Sequence, residues 1–540
     1  MFSQPGIFNV LDDWGGFGYP MKAGDPSRTA AKKNSQVLAA TVAAAVDYCN
    51  SGGFGAIVLI PSNSEVPPTT GGGGNGGIYY LSAQDTSGAP LVTINCVYPI
   101  KIMGTSNASV LTMLASDANV DDEVPMFYID NAGSDDTDVG GITFEDLWFE
   151  YASSLGGDSA AVKSVNSQNV RLNRCVLVNV TNGIVIENTS QFSMTDCTGL
   201  FDASVGGTML TIGDTGSAGT GSFFAYVSNC QFRVGTGMAT GPAAFGLVLG
   251  ICNELRVVDC HFEGFNTGIT FSPSADTTDM SFTDVTLIGQ GTQVSMTPSD
   301  TNKIQGVCFT NCKFQNNSAT GTGATLSAVV LDAGTNPTID GVRFVSCLCV
   351  NNAAAGLELR AGQNIEVLGG LYSANSQVSS GYAAIWLNGT GTNLRIVGTS
   401  LVPGAFSVTT PQPYGVKIGA WTNVFISDCD VTGYGSGGAT APFEFSLPGA
   451  GLEIVNCAGY NDQGTSLALA FLPVSATFSS SSIGYHGPVA FYVSATHVTE
   501  IQINSVNTGL PSGTFMLPPG GATSIKITYS ATPSVVAIGM

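Results

Sequence analysis

Charge is scarce in this chain. Of 540 residues only 10% are Asp, Glu, Lys or Arg, against roughly 25% in ordinary globular domains. Cations are scarcest: 17 Lys and Arg face 39 Asp and Glu, a formal net charge of −22. That balance argues against a phosphate-binding surface, so nucleic acid is not an expected partner. Histidine occurs only as His261, His486 and His497. No Ser/His/Asp spacing and no metal-ligand spacing can be assembled, so neither a metal nor a cofactor is expected. No apolar run reaches the roughly 18 residues of a bilayer-spanning helix, so membrane insertion is not expected. The opening MFSQPGIFNVLDDWGG has no basic start ahead of an apolar stretch, which does not read as a secretory leader. The 13 cysteines include no CxxC pair; in a large chain without a leader they read as buried thiols.

Glycine is abundant, at 69 residues, and 44% of the chain is apolar. This is too apolar for a disordered chain, and the glycines do not follow the collagen period. The composition is organised by a repeat. Aligned on one position stand VRLNRCVL (170–177), FSMTDCTG (192–199), AYVSNCQF (225–232), LRVVDCHF (255–262), MSFTDVTL (280–287), VCFTNCKF (307–314), VRFVSCLC (342–349), VFISDCDV (424–431) and LEIVNCAG (452–459). With the weaker members ITFEDLWF, IEVLGGLY and LRIVGTSL the mean spacing is about 28 residues, a period that points to a solenoid. A second motif follows in each unit, as in NGIVIE (182–187), AGLELR (355–360), AAIWLN (383–388), YGVKIG (414–419) and PFEFSL (442–447). Three short alternating strands per unit make one coil of a right-handed parallel β-helix. Twelve or thirteen coils at the interstrand spacing give a rod of about 60 Å.

Within the repeat, Asp196, Asn229, Asp259, Asp284, Asn311, Asp428 and Asn456 precede the Cys (or Val285) position. Asn and Asp tolerate the left-handed turn between strands, so these read as turn residues and not as catalysts. The cysteines read as a stacked ladder of small hydrophobes. Ahead of the coils, TAAKKNSQVLAATVAAAVDYC (29–49) reads as a cap helix with N-cap chemistry in GDPS, and GGFGAIVLIPS (52–62) and GIYYL (77–81) as the first coil. From about residue 465 the cysteine motif is absent, and Pro/Gly turns between alternating runs predict antiparallel hairpins. The expected domains are residues 1–50 (N-terminal segment and cap helix), 51–464 (parallel β-helix) and 465–540 (a β-sandwich-like cap).

Candidate site residues come from the outward register of the second strand. With Leu357 and Leu359 inside, Glu358 and Arg360 point out; by the same rule so do Asp332, Trp386, Asn388, Lys417 and Glu444, and Trp421 lies close by in the next turn. An outward Trp among carboxylates and cations suits a sugar groove. By strand geometry Asp332 and Glu358 are roughly 8 Å apart, inside the approximate 6.5–9.5 Å window of an inverting glycosidase pair. They are the expected catalytic residues. Arg360, Trp386, Asn388, Lys417, Trp421 and Glu444 are the expected substrate-binding residues. A second cluster, Glu145, Asp146 and Glu150 with Trp148, is read mainly as a turn, with Trp148 and Glu150 sharing one face.

The layout of cap helix, GGFGAIVLIPS, YYL and about 28-residue coils resembles the pectate-lyase-like superfamily, and within it the β-helical tailspikes of bacteriophages. GDPSRT (24–29) and IPSN (60–63) stand where that group carries its N-terminal signature. GTFMLPPGG (513–521) and ITYSATPS (527–534) are similar to short C-terminal β-modules of phage tail appendages. The resemblance implies a homotrimer in the virion tail that binds, and depolymerises by glycosidase-type hydrolysis, a bacterial surface polysaccharide, with phage tail or baseplate proteins as partners. Two other readings stay open: a non-enzymatic fibre or adhesin, and an extracellular secreted lyase or hydrolase.

Overall fold

The computed structural model describes residues 6–12, 16, 19–62, 78–82, 90–96, 98–105, 109–114, 125–130, 141–151, 160–180, 182–201, 207–214, 221–235, 244–289, 291–298, 302–315, 326–332, 339–377, 381–404, 411–435, 439–446, 450–460, 465–466, 474–479, 489–494, 496–517, 523–531 and 533–539. The chain divides into two compact units, Met1–Cys308 with Ala319–Gly323, and Phe309–Ser318 with Ala324–Met540.

In the first unit the helix Arg28–Asn50 starts at Ser27, whose side chain accepts from Ala30 N–H, as GDPS predicts. Its buried positions include Ala31, Ser35, Leu38, Val42, Ala45 and Cys49, the spacing of one helical face. The buried Asn34 ties that face to its surroundings: its amide donates to the carbonyls of Lys22 (2.8 Å) and Tyr80 (3.0 Å). Beside the helix, Ile7–Asn9, Ala56–Ile60 and Ile100–Gly104 pair in parallel. The coils that follow are built of short strands, three in one coil at Asn182–Glu187, Ser193–Thr195 and Thr198–Phe201. Their strands pair in parallel from coil to coil, as in Ile184↔Leu210 and Leu210↔Leu247. Their buried side chains are mainly apolar, as Ile184, Ile186, Leu210 and Leu247 are, with a few hydroxyls such as Ser164, Thr189 and Ser222 among them.

The second unit continues the same plan, with Leu348–Val350 parallel to Lys313–Gln315 and to Leu371–Ser373. Here the second strand of one coil runs on through a bend into the first strand of the next, giving continuous strands at Leu357–Leu368, Ala383–Val397 and Tyr414–Ser427. Phe309 and Phe344 stack at 5.3 Å with Phe314 edge-on to both, like on like along the coil interior. At its C-terminal end lie two four-stranded antiparallel sheets. Phe491, Ile501, Leu517, Ile525, Ile527 and Tyr529 fill the core between them. The expected antiparallel C-terminal region is present, and its pairing is partly local and partly long-range. Ile503↔Val506 closes a tight hairpin through Asn504 and Ser505, both at positive φ, but Val489–Val493 pairs with the distant Val535–Gly539.

The turn reading of the repeat holds. Asp196, Asn229, Asp259, Asp284, Asn311, Asp428 and Asn456 all sit at φ between 50° and 56°. A second ladder escaped the motif: Asn364, Asn393 and Asn423, at φ 54°, 58° and 53°, pass hydrogen bonds from Asn423 Nδ2 to Asn393 Oδ1 (3.1 Å) and from Asn393 Nδ2 to Asn364 Oδ1 (3.0 Å). All 13 cysteines are free thiols, and only Cys308 is not buried. Within each coil the thiol bonds the carbonyl two residues back, as Cys260 does to Val258 and Cys429 to Ser427. Burial pushes the Cys252 thiol up to about 12, so it is not a nucleophile at neutral pH.

The turn expected at 145–146 is present, and its side chains also form an ion-pair network. Asp146 has φ 54°. Arg174 bonds both Asp146 (2.7 Å) and Glu145, and Lys101 also pairs with Glu145. Burial works against the charge on Glu145, but bonds from Lys101 and Arg174 outweigh it and lower its pKa; the Arg174 bond lowers that of Asp146. Carboxyls with depressed folded-state pKa values contribute their stability fully above the unfolded value near 4 and lose it as pH falls through the folded value. Unfolding by urea at pH 7 and pH 3 is therefore expected to show a shallower acid loss in Arg174→Ala than in the parent. Equal losses would remove this network from the account. Trp148 and Glu150 share an outward face, as expected, because Leu147 and Phe149 are buried.

Candidate functional site

The second-strand column lies wholly in the second unit. Register places Val330, Glu358, Trp386, Lys417 and Glu444 directly opposite one another on consecutive coils. Ile385, Leu387, Val416 and Ile418 alternate with them and are fully buried, which fixes the outward direction of the column. Of the eight residues expected at the site, seven come together here: Asp332, Glu358, Arg360, Trp386, Asn388, Lys417 and Glu444.

Two expectations are corrected. Trp421 is not at the surface; it is 0% exposed, in the bend between the two halves of its coil. It stands opposite Gly391 on the preceding coil, and a Cβ at Gly391 would lie 2.5 Å from its ring. The indole therefore fills space that a glycine leaves open, and none of its surface is exposed. The second correction concerns Glu358, which points outward in register yet is only 4% exposed. Three donors cover its carboxylate: Ser327 Oγ at 2.6 Å on Oε2, and Arg360 Nε and Asn388 Nδ2, each at 2.8 Å, on Oε1.

Arg360 joins the two expected catalytic carboxylates. Its Nη1 lies 2.9 Å from Asp332 Oδ2 while its Nε holds Glu358. One planar guanidinium spanning both keeps their bonded oxygens within about 8 Å of each other. Burial alone would pull the Arg360 pKa down, but bonds from Glu358 and Asp332 outweigh it and raise it. Asn388 reaches Glu358 because the strand is irregular just there: pairing slips between Leu387 and Thr390. Gly389 sits at φ 138°, where a Cβ would stand 2.0 Å from the Arg360 carbonyl oxygen. Such bulges re-aim side chains.

Beside this polar cluster is an aromatic one. Tyr382 meets Trp386 edge to face at 5.3 Å. Lys417 Nζ lies 5.6 Å from the centre of the Trp386 ring and 5.7 Å from that of Tyr414, and pairs with Glu444 at 3.1 Å. All four of Tyr382, Trp386, Tyr414 and Lys417 are half-buried. Tyr382 and Tyr414 were not among the expected residues. Their signal was legible: an aromatic precedes the alternating run in both GYAAIWLN and PYGVKIG. Held ring faces flanked by amide, carboxylate and guanidinium groups are what stacking on a pyranose and bonding its hydroxyls require.

Among the described residues the remaining sequence candidates do not assemble a site. His261 bonds Glu263 (3.2 Å), the backbone at His497 has φ 66°, and His486 lies outside the described residues. Among the described residues no three His, Cys, Asp or Glu side chains are placed to hold a metal ion.

No protein-family model matches the chain, and no curated protein sequence does. Solved structures do. A mutant tailspike protein of E. coli bacteriophage HK620 in complex with pentasaccharide is similar at TM-score 0.55 and 12% identity, over 99% of this chain and 92% of that one. A second mutant of the same tailspike, also with pentasaccharide, matches at TM-score 0.51 and 11% identity, over 99% and 93%. Tailspike protein 3 of bacteriophage CBA120 matches at TM-score 0.52 and 14% identity, over 86% of this chain; the match spans 65% of that protein's length. At these identities the likeness is one of fold, and together with the parallel coils, the cap helix and the antiparallel C-terminal sheets it shows that the chain is a parallel β-helix built like the phage tailspike proteins.

Proposed function

We propose that this chain binds a bacterial surface polysaccharide along the outward column of residues 330–446, as a phage tail appendage protein. The observation that carries the reading is the platform of Trp386 between Tyr382 and Lys417, with the Asp332–Arg360–Glu358–Asn388 cluster beside it. The fold shared with tailspikes determined with a bound pentasaccharide supports it. A virion location, a homotrimer, tail-protein partners and the domain limits at 50 and 464 belong to the same proposal.

Hydrolysis is a second reading, favoured by one observation: a single guanidinium holds two carboxylates of the column, the two acidic groups a glycosidase needs. In that reading Asp332, 31% exposed at its side chain, meets the substrate first, and Arg360 must release Glu358 for proton transfer. Incubating the protein with polysaccharides from candidate host bacteria, and measuring both retention and new reducing ends, separates the readings. Hydrolysis predicts reducing ends whose release falls about 100-fold or more in Asp332→Asn and in Glu358→Gln. Retention without release assigns the column to binding alone. The absence of both retention and release would contradict the proposal.

A further inference from the structure

We infer that the Trp386 platform takes an uncharged sugar, and not a uronic acid or another anionic sugar. The inference rests on the glycan-binding reading and narrows its ligand class. Both cations of the column already serve carboxylates of the same chain. Arg360 bridges Asp332 and Glu358, and Lys417 pairs with Glu444 while lying over the Trp386 and Tyr414 rings. Three carboxylates thus face two cations, and the site carries no surplus positive charge.

An anionic sugar would have to draw one of these cations away. Taking Arg360 would strip a charged donor from Glu358, which is 4% exposed, and an under-compensated buried carboxylate is strongly unfavourable. Taking Lys417 would break its pair with Glu444 together with two cation–ring contacts. The chain as a whole carries −22, which repels a polyanion before contact. A neutral hexose meets none of these costs. Its apolar face stacks on Trp386, and its hydroxyls donate to Asp332 or bond the amide of the half-buried Asn388, with every ion pair left in place.

The test uses purified bacterial surface polysaccharides in matched forms, native and carboxyl-reduced, so that acidic sugars become neutral on the same backbone. The full chain and Trp386→Ala are titrated with each at about 50 and 500 mM NaCl, ionic strengths that span strong and weak screening. The inference expects Trp386-dependent binding that survives or strengthens on carboxyl reduction and changes less than twofold with salt. Trp386-dependent binding that disappears on carboxyl reduction would overturn the inference and leave the glycan-binding reading standing. No Trp386-dependent binding to any preparation would overturn both.

Discussion

Replacing Trp421 by alanine is expected to lower stability by about 4 kcal/mol, the scale of emptying a fully buried large aromatic site. The indole has no exposed surface, and the position opposite it is Gly391, so no neighbouring side chain on that coil can fill the void. Trp421→Phe should cost about half as much, since it removes one ring and, with Nε1 having no hydrogen-bond partner among the described residues, breaks no hydrogen bond there. Gly391→Ala attacks the same contact from the other side. Its new Cβ falls 2.5 Å from the ring, an overpacking worth about 2 kcal/mol. In the double variant the added methyl enters space the indole has left, so the two costs should not add. Urea titration of the four proteins checks this. Unchanged stability in Trp421→Ala, with loss of glycan binding, would return Trp421 to the ligand surface.

Arg360→Met is the second large effect. It leaves Glu358 buried with Ser327 and Asn388 as its remaining bonded donors. Breaking a wholly buried pair costs about 3–5 kcal/mol. Arg360 is 44% exposed at its side chain, so solvent screening brings the expected cost to about 2 kcal/mol. A conservative second change separates charge from packing: Glu358→Gln placed in Arg360→Met should restore part of the loss, because a neutral amide tolerates the site better than an unpaired carboxylate. If Arg360→Met unfolds at the parent's urea concentration, the bridge contributes nothing and the cluster is a surface ornament of the coil.

The coils were legible in the sequence because their chemistry is local. A left-handed turn needs Asn, Asp or Gly, an inward position needs an apolar side chain, and both recur at one spacing, so the turn at Asp196 and its equivalents and the buried cysteines could be read directly. The column at Glu358, Trp386, Lys417 and Glu444 was legible for the same reason: period-2 alternation fixes which residues face out. What alternation does not carry is cover. Glu358 faces outward and is nevertheless buried, because Ser327 precedes its strand neighbour on one coil and the irregularity at Gly389 turns Asn388 toward it from the other. Trp421 was misplaced because the bend between two strands obeys neither strand's alternation. The clue lay one coil back, in the glycine at 391. The Asn364, Asn393 and Asn423 ladder was missed because it sits at that same bend, outside the cysteine motif.

A crystal structure of the protein with an oligosaccharide cut from a polysaccharide it retains tests the central claim most directly. The account predicts a sugar ring within about 4 Å of the Trp386 indole, the contact distance of stacked apolar groups, with hydroxyls bonded to Asp332 or Asn388 and the Arg360 bridge intact. Density for the sugar on another face of the coils, with Trp386 unoccupied, would contradict it.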